Sequence, residues 1–172
     1  MSRYMLTPPP NDPARFKEGL LYCWAAGLAS FLNVANLGSV GYADIIAQNG
    51  AYMNADGTIP ESGGTPDDGG TPGGIGAVFA NYNVYSTKIY GGNFTYDYVA
   101  NILRTKGWFI IMYWVGGDMG HTQVVYGVGV PDDSSISVFD PMTSRPDYLN
   151  ISIASVAAST NMYVAWAAWA GP

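Results

Sequence analysis

The sequence predicts a single α+β domain, in which an amino-terminal helical part packs on a carboxy-terminal antiparallel sheet. Three observations support this prediction. The chain has 172 residues, a length that suits one hydrophobic core. Helical spacing of apolar residues dominates the first third, whereas strand-like apolar runs dominate the chain after residue 107. A stretch rich in glycine and proline, at 54–76, separates the two parts.

The amino-terminal part is predicted to contain an arm and two helices. Residues 1–22 should form an irregular arm, because four prolines lie among the first 13 residues. The stretch 23–36, CWAAGLASFLNVAN, has apolar residues at spacings of three and four, so it predicts a helix that begins at Cys23. A second, shorter helix is predicted over 41–50, where Gly50 supplies the end.

The 54–76 segment contains a short internal echo, GGTPDDGGTPGG. The echo is too short to be a structural repeat, and its glycines leave the backbone with many conformations. We therefore expect a flexible loop at 54–76.

The carboxy-terminal part is predicted to contain one amphipathic helix and several strands. The helix covers 94–107, with Asn93 as its expected cap and Gly107 as its end. Runs rich in β-branched and aromatic residues then predict a meander. The expected strands are 108–115, 121–130 and 135–140, followed by a short strand near YLNIS, a small helix near IASVAAS and a last strand at NMYVAWAAW.

Composition and charge exclude several classes of function. The net charge is −6 and only seven residues are Lys or Arg, which argues against nucleic acid or an anionic membrane as a partner. The apolar run at 108–115 is far shorter than the roughly 20 residues that a membrane-spanning helix needs. With one cysteine and one histidine, the chain has no intrachain disulfide, and we expect neither a metal nor another cofactor.

The arrangement of Cys23, His121 and Asp140 predicts a thiol active site. A thiol attacks well only as a thiolate, and a helix amino terminus together with a nearby imidazole supports that form. Cys23 begins the first predicted helix, and His121 begins a strand after the glycine-rich VGGDMG. Asp140 ends the next strand, so an antiparallel pairing should bring it beside His121. A lone cysteine is more often a small buried hydrophobe, but this joint placement favours catalysis.

Three segments resemble the active-site blocks of bacterial papain-like cysteine peptidases. They are CWAAGLASFL, GGDMGHTQVVYGVGV and SISVFDP, in that order. The resemblance is to the compact branch that includes bacteriocin-processing-type peptidases and plant-pathogen effector proteases. It implies a papain-like fold, a protein or peptide substrate, and an acyl-enzyme. In that scheme Cys23 is the nucleophile, His121 the general base and then acid, and Asp140 the orienting partner.

One part of the resemblance is missing, because these enzymes usually carry a glutamine five to seven residues before the cysteine. That side-chain amide helps to stabilise the oxyanion, whereas the present chain has Phe16, Lys17 and Glu18 in those places. The oxyanion candidates are therefore Lys17 and Glu18 themselves, and Gln123, which shares a strand face with His121. A catalytically weak papain-like protein that binds peptides is an alternative prediction.

The same three residues also serve transglutaminases, deamidases and acyltransferases, which differ in what attacks the thioester. The sequence leaves these reactions open beside peptide hydrolysis.

The amino terminus, MSRYMLTPPPNDP, lacks the apolar core of a secretory signal. Together with the resemblance, this predicts a bacterial protein that stays in the cytoplasm or is exported without a conventional signal peptide, as a secreted effector would be. We expect it to be a monomer.

Overall fold

The computed structural model describes residues 3–9, 22–53, 55, 57, 59, 74–114, 120–141, 147–159 and 161–167. Within these ranges the helices are α1 Cys23–Val34, α2 Tyr42–Asn49, α3 Gly74–Asn81, α4 Tyr96–Thr105 and α5 Ile153–Ala157. The strands are β1 Tyr4–Met5, β2 Val84–Tyr90, β3 Phe109–Trp114, β4 Gly120–Val128, β5 Ser135–Asp140, β6 Asp147–Ser152 and β7 Asn161–Ala167. No helix in the described ranges is long and apolar enough to cross a membrane.

The strands form one antiparallel sheet in the order β2-β7-β3-β4-β5-β6, and β1 pairs with the end of β4. The α+β class with an antiparallel sheet is therefore confirmed. The arm predicted over 1–22 is not wholly irregular, because Tyr4 pairs with Val128 and Met5 with Gly127. Residues 10–21 of that arm lie outside the described residues.

Two hydrophobic clusters cover the two faces of the sheet. Strand alternation directs Ile110 and Val124 to the cluster that contains α1, and Ile111 and Val125 to the cluster that contains α4. The first ten residues of α1 are all buried, so this helix is enclosed on every side instead of exposing a polar face. Helix α1 is therefore the central helix of the domain.

Helix α3 and strand β2 were not predicted. Gly74 to Gly76, the last three residues of the predicted loop at 54–76, form the first turn of α3. Its buried side chains Ile75, Val78 and Phe79 belong to the same cluster as α1. Tertiary burial thus stabilises a helix that begins among glycines, which are poor helix formers. The rest of the 54–76 segment lies mostly outside the described residues.

The predicted cap of α4 was wrong by two residues. Thr95 precedes the first turn, and its hydroxyl accepts a hydrogen bond from the backbone N–H of Tyr98 at 3.3 Å. Asn93 instead lies in a 3₁₀ turn at Gly91–Asn93. Threonine and asparagine both cap helices well, so sequence alone did not distinguish the two positions. Gly107 has a φ of +84°, as a residue that ends a helix should.

Gly27 allows α1 to lie unusually close to β4. This residue is one helical turn beyond Cys23, and a Cβ atom built on it would lie 2.7 Å from Cγ2 of Thr122. The same Cβ would lie 4.0 Å from Cγ of Pro141, just after β5. Thr122 is fully buried and β-branched, so its methyl group has little room to move. Gly27 therefore sets the distance between α1 and the strands β4 and β5.

We predict that Gly27→Ala lowers the thermal unfolding midpoint. Alanine is favoured over glycine in a helix by about 1 kcal/mol, but overpacking a full core typically costs about 1–3 kcal/mol. Thr122→Ser removes the methyl group that the new Cβ meets, so Gly27→Ala in that background should be neutral or stabilising. Circular dichroism melts of the two single variants and the double variant measure this. A raised midpoint for Gly27→Ala alone would contradict the close approach.

Candidate active site

Cys23 lies at the amino-terminal end of α1, where the helix is deeply embedded in the core. Its exposed fraction is 8%. The preceding residue, Tyr22, makes no side-chain hydrogen bond that caps the helix. The first backbone N–H groups of a helix carry a partial positive charge, and this charge favours an anion at the position of the sulfur. The placement predicted for Cys23 at a helix start is confirmed.

His121 and Asp140 are brought together by the antiparallel pairing of β4 and β5. Nε2 of His121 lies 2.7 Å from Oδ2 of Asp140, and the two side chains are 14% and 8% exposed. A carboxylate can only accept, so Nε2 carries the proton and donates it. This contact leaves Nδ1 as the ring nitrogen available to a second partner. The predicted proximity of the two residues is confirmed.

The second partner of His121 is Cys23, whose side chain hydrogen-bonds the imidazole. The ring therefore lies between the start of α1 and the end of β5. Burial by itself lowers the pKa of His121, but the hydrogen bonds and charges of Asp140 and Cys23 raise it from 6.5 to about 9. At neutral pH the imidazole is therefore protonated, with Asp140 on one side and Cys23 on the other.

Gln123 lies on the same strand face as His121, as predicted, but it contacts Asp140. Its Nε2 donates to Oδ2 of Asp140 at 2.7 Å, and its Oε1 accepts from the hydroxyl of Tyr113 at 2.9 Å. The side chain is 2% exposed. The structure thus brings the amide of Gln123 to the carboxylate of the site, and the predicted contribution of Gln123 to an oxyanion site stays a prediction.

Tyr113 is a site residue that the sequence analysis did not identify. It pairs with His121 across β3 and β4, and the two rings meet edge to face with centroids 6.2 Å apart. Tyr113 is partly buried, and its hydroxyl finds a polar partner in Gln123. The strand register would have been the only signal for this contact, because the register decides which side chains are diagonal neighbours.

Two further candidates, Lys17 and Glu18, lie outside the described residues, so their predicted contribution to an oxyanion site stays a prediction. One described residue of the 54–76 segment, Gly57, accepts a hydrogen bond from the indole of Trp24 at 2.9 Å, next to Cys23. Across the described part of the chain, no three His, Cys, Asp or Glu side chains are grouped as metal ligands would be.

The fold is similar to that of a solved peptidase domain. The peptidase domain of Streptococcus ComA, a bifunctional ABC transporter involved in a quorum-sensing pathway, superposes with a TM-score of 0.55 at 18% identity. The match covers 95% of this chain and 98% of that domain. No protein of curated function matches the sequence.

A family model described as the papain-like cysteine protease AvrRpt2 matches residues 11–160. This range includes every helix and strand from α1 through α5 in chain order, and leaves out only β1 and β7. The predicted papain-like fold and cysteine peptidase activity are confirmed by this match. The chain belongs to the family of papain-like cysteine proteases typified by AvrRpt2, and it is a cysteine peptidase.

Proposed function

We propose that Cys23, His121 and Asp140 form the catalytic triad with which this peptidase hydrolyses peptide bonds. One observation carries the proposal: the imidazole of His121 contacts the Cys23 side chain on one side and Asp140, at 2.7 Å, on the other. A nucleophile hydrogen-bonded to a base, which is in turn oriented by a carboxylate, is the arrangement that covalent catalysis at a carbonyl requires.

Acylation uses the sulfur as nucleophile and His121 as acid. The thiolate of Cys23 attacks the peptide carbonyl carbon, and the carbonyl electron pair moves onto oxygen to give a tetrahedral oxyanion. When the pair returns, the carbon–nitrogen bond breaks and the protonated His121 gives its Nδ1 proton to the leaving amine. The products are a free amine, a thioester on Cys23 and a neutral imidazole.

Deacylation reverses the proton transfer. The neutral His121 takes a proton from water as the water oxygen attacks the thioester carbon. The sulfur then leaves as thiolate, with His121 again protonated beside it, and the carboxylic acid product departs. Asp140 remains ionised throughout, keeps the proton on Nε2 and stabilises the imidazolium.

The oxyanion requires donors besides the triad. The backbone N–H of Cys23, at the first turn of α1, is the first donor that we propose. Lys17 supplies a second in this scheme, through its ammonium group, whereas Glu18 would donate only in its protonated form. Loss of one oxyanion donor typically lowers the rate by about 10²–10³, so a Lys17 variant should be much slower than the parent enzyme.

Family membership supports water as the acceptor of the acyl group. Transglutaminases, deamidases and acyltransferases would share the same thioester and differ only in the attacking group. From the family we also propose a bacterial effector that acts on a protein or peptide substrate. That it acts as a monomer stays a prediction. The alternative of a peptide-binding protein with a weak site predicts that its biological effect survives Cys23→Ala.

We predict that Cys23→Ala and His121→Ala each lower peptide hydrolysis by at least about 10³-fold, since each removes a member of the reacting pair. Release of amines from a mixed peptide library measures the activity.

A second test measures the rate at which iodoacetamide alkylates Cys23. Because Cys23 is the only cysteine, no other thiol contributes to this rate. At pH 6 the parent should react roughly tenfold faster than His121→Ala. Equal alkylation rates, or hydrolysis retained by Cys23→Ala, would refute the triad.

We predict that His121 titrates with a midpoint of about 9. The chain has one histidine, so the chemical shifts of the imidazole carbons in NMR spectra report the titration of His121 alone. Since the folded pKa lies above 6.5, the stability that protonation contributes is fully present below pH 6.5 and is lost as the pH rises through 9. Acylation should decline over the same upper range.

Variants separate the two causes of that raised pKa. Asp140→Asn should bring the midpoint of His121 down toward 6.5, and Cys23→Ala should lower it by a smaller amount, because the hydrogen bond with Asp140 is the larger favourable contribution. A midpoint at or below 6.5 in the parent protein would contradict the pair of contacts on the imidazole.

A further inference from the structure

We propose that Gln123, held in place by Tyr113, is a positioning residue that keeps the Asp140 carboxylate directed at His121. This inference rests on the proposed triad and adds to it a second pair of side chains, behind the carboxylate. The two residues lie on β4 and β3, so they belong to the rigid sheet and not to a loop.

The sheet register places Gln123 where it can serve this function. Val124 on β4 pairs with Phe139 on β5. Because the strands are antiparallel, Gln123, which precedes Val124, lies opposite Asp140, which follows Phe139. Both project to the face that also carries His121, because side chains alternate along a strand. Tyr113 pairs with His121 and is thus a diagonal neighbour of Gln123. No loop has to move for these four side chains to meet.

The chemistry of the groups orients the amide. A carboxylate accepts only, so the NH₂ of Gln123 faces Asp140, where Nε2 lies 2.7 Å from Oδ2. The amide carbonyl then faces Tyr113, whose hydroxyl donates at 2.9 Å. The pKa of Tyr113 is raised to about 12, by burial and by the charge of Asp140, against the lowering effect of Gln123. The phenol therefore remains a donor at every pH at which His121 titrates.

A second donor restrains the carboxylate more than one donor does. The terminal torsion of aspartate has a broad energy minimum, so a single hydrogen bond leaves the carboxylate free to swing. Oδ2 of Asp140 receives one bond from His121 and one from Gln123, each at 2.7 Å. Gln123 is 2% exposed, so water has little access to replace its amide. The imidazole is in turn held toward Cys23.

The test uses Gln123→Met, which keeps the length of the side chain but removes the donor. If Gln123 positions Asp140, the carboxylate turns away from His121 and the NMR midpoint of the imidazole falls from about 9 toward 6.5. We expect kcat to fall by roughly 10–100-fold with KM unchanged, since Gln123 acts through Asp140 and displacement of reacting groups costs that much. A merely structural glutamine would leave the midpoint of His121 where it is.

Tyr113→Phe provides a milder second variant, because it removes only the hydroxyl that orients the amide. It should shift the His121 midpoint and kcat in the same direction by a smaller amount. In the Gln123→Met background it should have no further effect, since the tyrosine acts through the glutamine. Should Gln123→Met fail to fold, Tyr113→Phe decides the question with the same two readouts.

The chain offers a matched control in its other glutamine. Gln48 accepts a hydrogen bond from the hydroxyl of Tyr82 at 2.8 Å, so it forms the same kind of pair as Gln123 and Tyr113. This pair links the end of α2 to the turn after α3, and the Tyr82 hydroxyl also accepts a hydrogen bond from Asn49 at 3.1 Å. Gln48→Met and Tyr82→Phe should leave the midpoint of His121, kcat and KM unchanged.

An unchanged or raised His121 midpoint in folded Gln123→Met, or an unchanged kcat, would overturn the proposal. A failure of the triad itself is recognised separately, because Cys23→Ala would then retain hydrolysis. The titration of His121 does not depend on turnover, so it reports on Gln123 and Asp140 in either case.

Discussion

The contact between α1 and β4 at Gly27 is the constraint on which the site depends. Because Gly27 has no side chain, the helix lies against Thr122 and Pro141, with a Cβ position only 2.7 Å from the threonine methyl. Those two residues directly follow His121 and Asp140 in the chain. Any change in that packing distance therefore changes the distance from the sulfur to the imidazole. The packing of α1 and the geometry of the contact between Cys23 and His121 therefore depend on the same distance.

Around this contact, polar groups replace the water that burial removes. A row of hydrogen bonds runs from Cys23 through His121, Asp140 and Gln123 to Tyr113, with donors and acceptors matched at each step. Burial opposes the charge on His121, yet its partners outweigh that effect and hold the proton to about pH 9. Buried charges persist only when they are paired in this way. The site is thus stabilised by complementarity and not by exposure to solvent.

Much of the secondary structure could be predicted because it follows local patterns. The boundaries of α1 and β5 agree with the apolar periodicity to within two residues, and Gly107 ends α4 as its sequence context indicates. Helix α3 was missed because its glycine-rich start has low helix propensity and its stability comes from burial against α1. The cap of α4 was misplaced because Asn93 and Thr95 are both good capping residues.

The sequence by itself determined that Cys23 begins a helix and that His121 and Asp140 lie close together, since consecutive antiparallel strands place the start of one beside the end of the other. Only the tertiary structure decided that Cys23 reaches His121, because that contact depends on helix packing across the whole chain. It also decided that Gln123 faces Asp140. A strand pattern specifies the face of a side chain, whereas its hydrogen-bond partner depends on register and rotamer together.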